Sequence, residues 1–484
     1  MKLNRLFDCE RDTEIKGIAL DSRKVKKGDM FFCIKGLETD GHKYAEQAVS
    51  AGAVAIVHTD DINRIDKIDY IKVKDINSEL NRICNIFYNE PSRRLTMFGI
   101  TGTNGKTTTA SIISDIFSEY TPCGYMGTIA VRYGDYSRLP SLTTPDSIEV
   151  HQVLNEMTEH GMKAAAIEVS SHGLALGRVS TVDFDYAIFT NLTYDHLDFH
   201  KTMKNYFDAK KILFRNMKES GVAVLNADDK ISFEELKNCC KCRVVTYGID
   251  NEADYMAKEL SLGVDFTKFT LVHDKKEYKI MTNLVAKYNI SNLLSGIAAM
   301  HQAGMPIEMM IPKFEKISQV DGRMEIVDEG QEFSVLVDYA HTPDGFEKIF
   351  QHVENIRKTG SNVYTVFGCA GKRDHDKRAV LGKIAGKYSD LVIVTEEDPR
   401  NESKEEIAEQ ILEGIQESQG RYELILDRYE AIKKGILKAK KDDIVLILGK
   451  GAEEYMYRGE GREPWMGDVE AAKKVLEKLY HTVL

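Results

Sequence analysis

The sequence has no uncharged run approaching the length that crosses a bilayer, and Met1-Lys2-Leu3-Asn4-Arg5-Leu6-Phe7-Asp8 lacks the apolar core of a signal peptide. No membrane insertion is therefore expected, and a cytoplasmic location is. Basic charge is not in excess: 65 Lys and Arg stand against 76 Asp and Glu, a formal net charge of −11, which leaves no whole-chain electrostatic case for nucleic acid. The eight cysteines form no extracellular disulfide framework, so reduced thiols are expected. Cys239-Cys240-Lys241-Cys242 is the one tight cluster, and it lacks a second ligand pair at zinc spacing. Internal repeats and low-complexity tracts are also missing. What remains is a globular chain of 484 residues, for which a prior of roughly 150 residues per domain suggests three domains.

The most informative stretch is Gly99-Ile100-Thr101-Gly102-Thr103-Asn104-Gly105-Lys106-Thr107-Thr108-Thr109. An apolar approach (Leu95, Met97, Phe98) precedes it, and Ala110 to Phe117 follows with helical apolar spacing, so it reads as strand, loop, helix. This is the layout of a phosphate cradle. Glycines let backbone N–H groups face a triphosphate, the helix N-terminus adds positive potential, Lys106 can reach the β- and γ-phosphates, and Thr107 can ligate Mg²⁺. The usual pattern wants a glycine where Ile100 stands, with Gly99 and Gly102 on either side of it.

Residues 1–93 read as a small α/β unit, and Pro91-Ser92-Arg93-Arg94 as a hinge. Residues 94–321 alternate apolar strands with amphipathic helices, as a parallel sheet with crossovers does: Ala164 to Ile167 leads into Glu168, Tyr186 to Phe189 into Thr190-Asn191, and Val222 to Leu225 into Asn226. Beyond a break near Asp321-Gly322-Arg323, residues 322–484 repeat the pattern with strands at Val335–Val337, Val363–Phe367, Leu391–Val394 and Ile444–Leu448. Ligands of such sheets lie beyond the carboxyl ends of the strands, which singles out Glu168 and the Asn191 to Asp198 segment as hard-cation ligands beside the phosphate loop.

Five segments taken in order strongly resemble the Mur ligases: Thr101 to Thr108, Glu168-Val169-Ser170-Ser171-His172, Phe189 to Asp198, Tyr206-Phe207-Asp208-Ala209-Lys210 and Asp338-Tyr339-Ala340-His341-Thr342-Pro343-Asp344. The resemblance covers essentially the whole chain and is strongest to members that add the third residue of the peptide. It implies an α/β, three-domain architecture: a UDP-binding N-terminal domain, a central P-loop ATPase domain, and a Rossmann-like C-terminal domain that brings the amino acid. It also implies ATP and Mg²⁺ as cofactors, UDP-N-acetylmuramoyl-dipeptide and a diamino acid as substrates, and a monomer.

Carried over by position, the resemblance assigns ATP to Gly102, Thr103, Asn104, Gly105, Lys106, Thr107, Thr108, Asn292, Arg323 and Asp338. It assigns one Mg²⁺ to Thr107 and Glu168 and a second to a carboxylate of the Glu168 region, His196 and Lys210, with Lys210 as a carbamate, and catalysis to Lys106, Lys210, His196 and Glu168. Ser22 matches a uridine contact, and Thr143, Thr144, Ser170 and Arg178 match contacts to the muramoyl-dipeptide. Arg373, Asp398, Arg400, Gly449 and Glu453 match contacts to the amino acid. Several positions depart from the family pattern: Ala286, Tyr288, Leu176, Lys372 and Ala452 stand where Gly, Phe, Gln, an acidic residue and His are more usual.

The loop Thr395-Glu396-Glu397-Asp398-Pro399-Arg400 decides which amino acid is added. Members that add meso-diaminopimelate end this loop in Asp-Asn-Pro-Arg, and an Arg–carboxylate fork suits the distal carboxylate that lysine lacks. Arg400 is present, while Glu397 and Asp398 replace Asp and Asn. Diaminopimelate is the expected substrate, with L-lysine or L-ornithine as alternatives and a non-catalytic nucleotide-binding paralogue as the rival from another class.

Overall fold

The computed structural model describes residues 1–36, 39–263, 265–317, 320–459 and 461–480. Near the N-terminus, strands Gly17–Ala19, Asp29–Phe32, Ala55–His58 and Asp69–Lys72 pair in chain order, all parallel. The two inner strands are buried along their whole length, as apolar strands covered on both faces must be.

The second sheet has eleven strands. Its parallel middle runs Tyr255–Leu262, Arg243–Gly248, Val222–Asn226, Tyr186–Phe189, Thr96–Thr101, Ala164–Glu168 and Cys123–Met126. The phosphate-loop strand Thr96–Thr101 lies between Tyr186–Phe189 and Ala164–Glu168, so the polar residues that end all three strands converge. The sequence pattern suggested a parallel sheet only. In the structure antiparallel strands extend both edges, Val131–Tyr133 and Tyr136–Arg138 on one side, Thr267–His273 and Lys276–Thr282 on the other. Edge strands carry half-exposed, charge-rich sequence, which hides their period from hydropathy.

The third sheet orders Glu325–Ile326, Ser334–Asp338, Ile444–Leu448, Val363–Phe367, Leu391–Val394 and Tyr422–Leu424, parallel except for the first pair. Under its carboxyl edge lies a fully buried ion pair, with Arg428 Nε and Nη2 donating to Asp468 at 2.7 and 2.6 Å. The same guanidinium donates to the carbonyls of Glu396 and Leu448, at 3.1 and 2.9 Å. It thereby fixes the two loops that follow Leu391–Val394 and Ile444–Leu448.

Helix Lys287–Gln302 packs on the phosphate-loop helix Lys106–Phe117, where Gly296 faces Ile112 so closely that a Cβ would sit 3.3 Å from its methyl group. Ala286, which precedes that helix where the resembled family has glycine, has φ +73° and ψ 140°, a conformation nearly restricted to glycine. It is fully buried, so the strain is held by its surroundings. Ala286→Gly is expected to raise stability by about 1 kcal/mol, read as a higher urea midpoint with unchanged slope. A lower midpoint would show that the alanine methyl contributes more by packing than its backbone costs.

Candidate active site

The phosphate loop is sewn to the end of the neighbouring strand. Thr103 N donates to Asn191 O (2.8 Å), Asn104 N to Asn191 Oδ1 (3.0 Å), and Thr190 Oγ1 to Asn104 O (2.6 Å). Gly102 has to be glycine here, because a Cβ would lie 1.8 Å from Thr190 Oγ1. At Gly105, with φ +87°, a Cβ would lie 2.2 Å from Asn292 Oδ1, so Asn292 sits directly against the loop.

Two lysine ammonium groups share one carbonyl inside this loop. Lys106 Nζ donates to Gly102 O (3.1 Å) and Thr103 O (2.8 Å), and Lys210 Nζ donates to the same Gly102 O at 2.7 Å. Neither has an ion pair among the described residues. Burial lowers the pKa of Lys106, and burial together with repulsion from Lys106 lowers that of Lys210 well below the usual lysine range. Tyr206 lies under the Lys210 ammonium, 4.3 Å from ring centroid to Nζ.

Glu168, fully buried at its strand end, collects donors from four groups: Tyr125 OH (2.7 Å), Thr128 N (2.7 Å), Thr128 Oγ1 (3.2 Å) and Thr107 Oγ1 (2.9 Å). Thr107 and Glu168 thus form a buried pair of hard oxygen ligands beside the loop, which fits Mg²⁺. His196, at φ +55°, sits 3.3 Å from Asp195 through Nε2; burial, opposed by Asp195, takes its pKa to about 3, so its imidazole is neutral at ordinary pH and able to ligate. Lys210 donates to Gly102 O and has no hydrogen bond to Glu168.

Thr144 organises the next group. Its hydroxyl donates to Glu168 O (2.8 Å) and accepts from Ser170 N (2.9 Å), while its carbonyl accepts from Arg178 Nη1 (2.8 Å). Thr143 bonds Thr128 at 3.1 Å, and Ser170 caps the short helix Ser171–Ala175. The expected dipeptide contacts therefore surround the Glu168 strand end. Leu176, at the glutamine position, is exposed. Ser22 lies in the first sheet's lobe, donating to Gln47 at 3.1 Å.

A cleft of about 830 Å³ opens between the loop and the third sheet's lobe, lined among others by Asn104, Gly105, Thr107, Thr108, Asn292, Arg323 and Asp338. Contacts cross it: Asn104 Nδ2 donates to Asp344 Oδ2 (3.0 Å), and Arg323 Nη2 to Thr107 Oγ1 (3.3 Å) with its guanidinium 4.5 Å from the Tyr339 ring. The Asp338 carboxylate accepts from Met324 N and Ala340 N, both at 2.7 Å, so it shapes the lining loop. Tyr288, at the phenylalanine position, lines the cleft with a buried hydroxyl that has no hydrogen-bond partner among the described residues. A glycine-walled helix N-terminus and an orphaned hydroxyl in a cleft of this volume fit a nucleotide.

Beyond strand Leu391–Val394, Glu396, Glu397 and Asp398 are all buried. Asp398 accepts from Lys450 Nζ (2.8 Å) and Tyr457 N (3.1 Å), and Lys450 also reaches Glu453 (2.6 Å). Asp398 therefore brings its own cation, which offsets the charge that an asparagine would not have. Glu396 pairs with Lys404 (3.0 Å) and Arg458. Arg400, at φ +52°, donates to Gly371 O (2.8 Å) and lies 5.2 Å from the Tyr457 ring. Arg373 is exposed on the same rim, and Gly449, with φ +109°, donates its N–H to Asp338 O at 3.0 Å.

Sequence reasoning missed Lys377. It is buried in the first turn of helix Asp376–Tyr388, without a hydrogen bond or ion pair among the described residues, and its charge is felt by Asp195, His341 and Glu397. Its spacing from Arg373 was the available signal, but burial of a lysine in a charged helix start is invisible without tertiary context.

Three family models match the chain: the Mur ligase family catalytic domain over residues 14–95, the Mur ligase middle domain over 100–300, and the Mur ligase glutamate ligase domain over 322–451. A UDP-N-acetylmuramoyl-L-alanyl-D-glutamate–2,6-diaminopimelate ligase of Bacillus cereus is 41% identical over 475 residues, 95% of either chain. One of the same name from Clostridioides difficile is 39% identical, covering 97% of this chain and 96% of its own. A solved structure of a ligase of that name superposes with a TM-score of 0.69 at 29% identity, covering 100% of both chains. A MurF ligase from Thermotoga maritima, solved with ADP, shares the fold at 20% identity and a TM-score of 0.68, over 96% of this chain and 99% of its own. With every lobe matched and two-fifths of its residues shared with curated members along nearly its whole length, the chain belongs to the Mur ligase family.

Proposed function

We propose that the protein is an ATP-dependent ligase that adds meso-2,6-diaminopimelate to UDP-N-acetylmuramoyl-L-alanyl-D-glutamate in peptidoglycan precursor synthesis. The observation that carries this reading is the phosphate loop itself, where Lys106 and the buried Lys210 converge on Gly102 O with no ion pair among the described residues, and Thr107 joins the loop to the buried Glu168. Relatives that bear this activity in their names, at about two-fifths identity, support it. Residues 1–93 are assigned to the UDP moiety, 94–321 to ATP, and 322–484 to the amino acid.

The γ-carboxylate of the D-glutamate attacks the γ-phosphorus of ATP, and ADP leaves with the bridging oxygen. Lys106 swings from its own loop carbonyls to the transferring phosphoryl group and neutralises its growing charge. Bound Mg²⁺ supplies further positive charge at the phosphate oxygens; Thr107, Glu168, His196 and Lys210 would hold it. Lys210 fits that role as a carbamate, because burial and repulsion from Lys106 work against its ammonium form, and the amine adds CO₂ with loss of a proton. The amine of the amino acid then attacks the acyl phosphate, and phosphate departs. Closure of the cleft, which the Asn104–Asp344 and Arg323–Thr107 contacts favour, keeps water from the acyl phosphate. On this reading the protein works in the cytoplasm as a monomer.

The reading is tested by ADP release with ATP, Mg²⁺ and the nucleotide dipeptide, offering meso-diaminopimelate, L-lysine or L-ornithine separately. Release is expected with diaminopimelate; preference for lysine or ornithine would mean that Glu397 and Asp398 have reshaped the pocket, and no turnover with any would favour a non-catalytic paralogue. Arg400 spends one N–H on Gly371 O and keeps the others for a carboxylate. Arg400→Ala is therefore expected to lower kcat/KM for diaminopimelate about 10- to 100-fold, the worth of about 1.5–3 kcal/mol for charge-assisted hydrogen bonds, while leaving the weak use of lysine unchanged. Equal losses for both amino acids would remove Arg400 as selector.

A further inference from the structure

Cys239-Cys240-Lys241-Cys242 has no part in the ligase reading, and the fold brings its thiols together. Cys239 is the last residue of helix Lys230–Cys239, and Cys240 caps it, with its N–H donating to Leu236 O at 3.1 Å. Strand Arg243–Gly248 starts directly after Cys242. All three side chains are half-buried, free and packed against the apolar core of the second sheet's lobe. The turn they form lies at the amino end of Arg243–Gly248, which runs parallel to the phosphate-loop strand. Its chemistry can therefore change without blocking the nucleotide cleft, which opens at the carboxyl ends.

The Cys240 sulfur stands between the other two and hydrogen-bonds with either. It holds one proton, so it donates to one neighbour at a time, and each donation favours the acceptor's thiolate. This donation holds the Cys239 and Cys242 thiols below the usual range against their burial, and Arg215 and Lys211 on the neighbouring helix add to it at Cys239. The two neighbouring pairs differ in what they can form. Adjacent residues such as Cys239 and Cys240 have Cα atoms about 3.8 Å apart, less than the roughly 4.4 Å at which ordinary disulfides begin. Cys240 and Cys242 have a residue between them, which lifts that limit, and their sulfurs already meet. Cys239 also stands at a helix carboxyl end, whose negative potential works against a thiolate, whereas Cys242 lies beyond it. Among the described residues, the three sulfurs do not close to the mutual distances of a metal site.

We propose that Cys240 and Cys242 are a redox-active dithiol whose co-reactant is a small-molecule disulfide. The Cys242 thiolate attacks one sulfur of that disulfide, the S–S bond breaks, and a thiolate leaves. Cys240 then bonds Cys242 Sγ and gives its proton to the second departing sulfur. Two electrons pass to the small molecule, which becomes two thiols, and the protein gains one S–S bond; excess thiol reverses the exchange. Attack is fastest for a thiol that titrates near the ambient pH, the direction in which Cys240 moves Cys242. Half-burial leaves the pair accessible. Cys33, Cys84, Cys123 and Cys369, by contrast, are buried and pushed up by that burial, as inert structural thiols are.

The test incubates the reduced full-length protein with glutathione disulfide at neutral pH, quenches it by alkylation and maps the thiols by peptide mass spectrometry. A Cys240–Cys242 disulfide is expected, with Cys239 recovered as the alkylated thiol, forming at least about 10-fold faster than glutathione adds to Cys9, which is half-buried but has no thiol beside it in sequence. Dithiothreitol should restore both thiols. Cys240→Ser should stop at a glutathione adduct on Cys242, and Cys242→Ser should form no crosslink; an unchanged urea midpoint in each variant would show that it is folded. The wild-type map decides the matter even if a variant is not. Oxidation of the pair no faster than modification of Cys9, a wild-type crosslink through Cys239, or an intramolecular disulfide in folded Cys240→Ser would overturn the proposal.

Discussion

The structure depends on one shared acceptor, the carbonyl of Gly102, to which the half-buried Lys106 and the buried Lys210 donate from different elements. Two like charges on one oxygen, without an acidic partner on either, are held together only because the loop is fixed from outside. Thr190 and Asn191 hold the loop to the adjacent strand, and Gly102 and Gly105 allow contacts that no larger residue would permit. The unbalanced positive charge is what a triphosphate and an acyl phosphate need, and the repulsion between the lysines is what frees Lys210 to carry a different charge.

The amino-acid lobe solves the reverse problem. It gathers Glu396, Glu397 and Asp398 at the end of one strand, then neutralises two of the three with Arg458, Lys404 and Lys450. The buried Arg428–Asp468 pair holds the loops that present them, through the Glu396 and Leu448 carbonyls. Removing one partner of such a pair leaves a buried charge, so the lobe's geometry and its stability rest on the same contact.

Much of this was legible in the sequence. The strand–loop–helix around Lys106, Glu168 at a strand end and the four apolar strands of the third sheet all lie where periodicity and turn chemistry put them, because buried parallel strands are written as unbroken apolar runs. The antiparallel edges were not, since their half-exposed residues show no clean alternation. Nor was the pairing of Asp398 with Lys450, fifty-two positions apart, which changes the meaning of an aspartate where the family has asparagine. Lys377 shows the same limit: its type and position in a helix suggest solvent, and only the fold reveals that it is enclosed.

Burial and repulsion from Lys106 both work against an ammonium at Lys210, and the proposed metal site depends on that lysine being carried as a carbamate. The direct measurement is ¹³C NMR of the protein equilibrated with ¹³C-bicarbonate. A carbamate resonance that is present in the wild type and absent in Lys210→Ala is the predicted result. Absence of that resonance in the wild type, or its persistence in Lys210→Ala, would contradict the account.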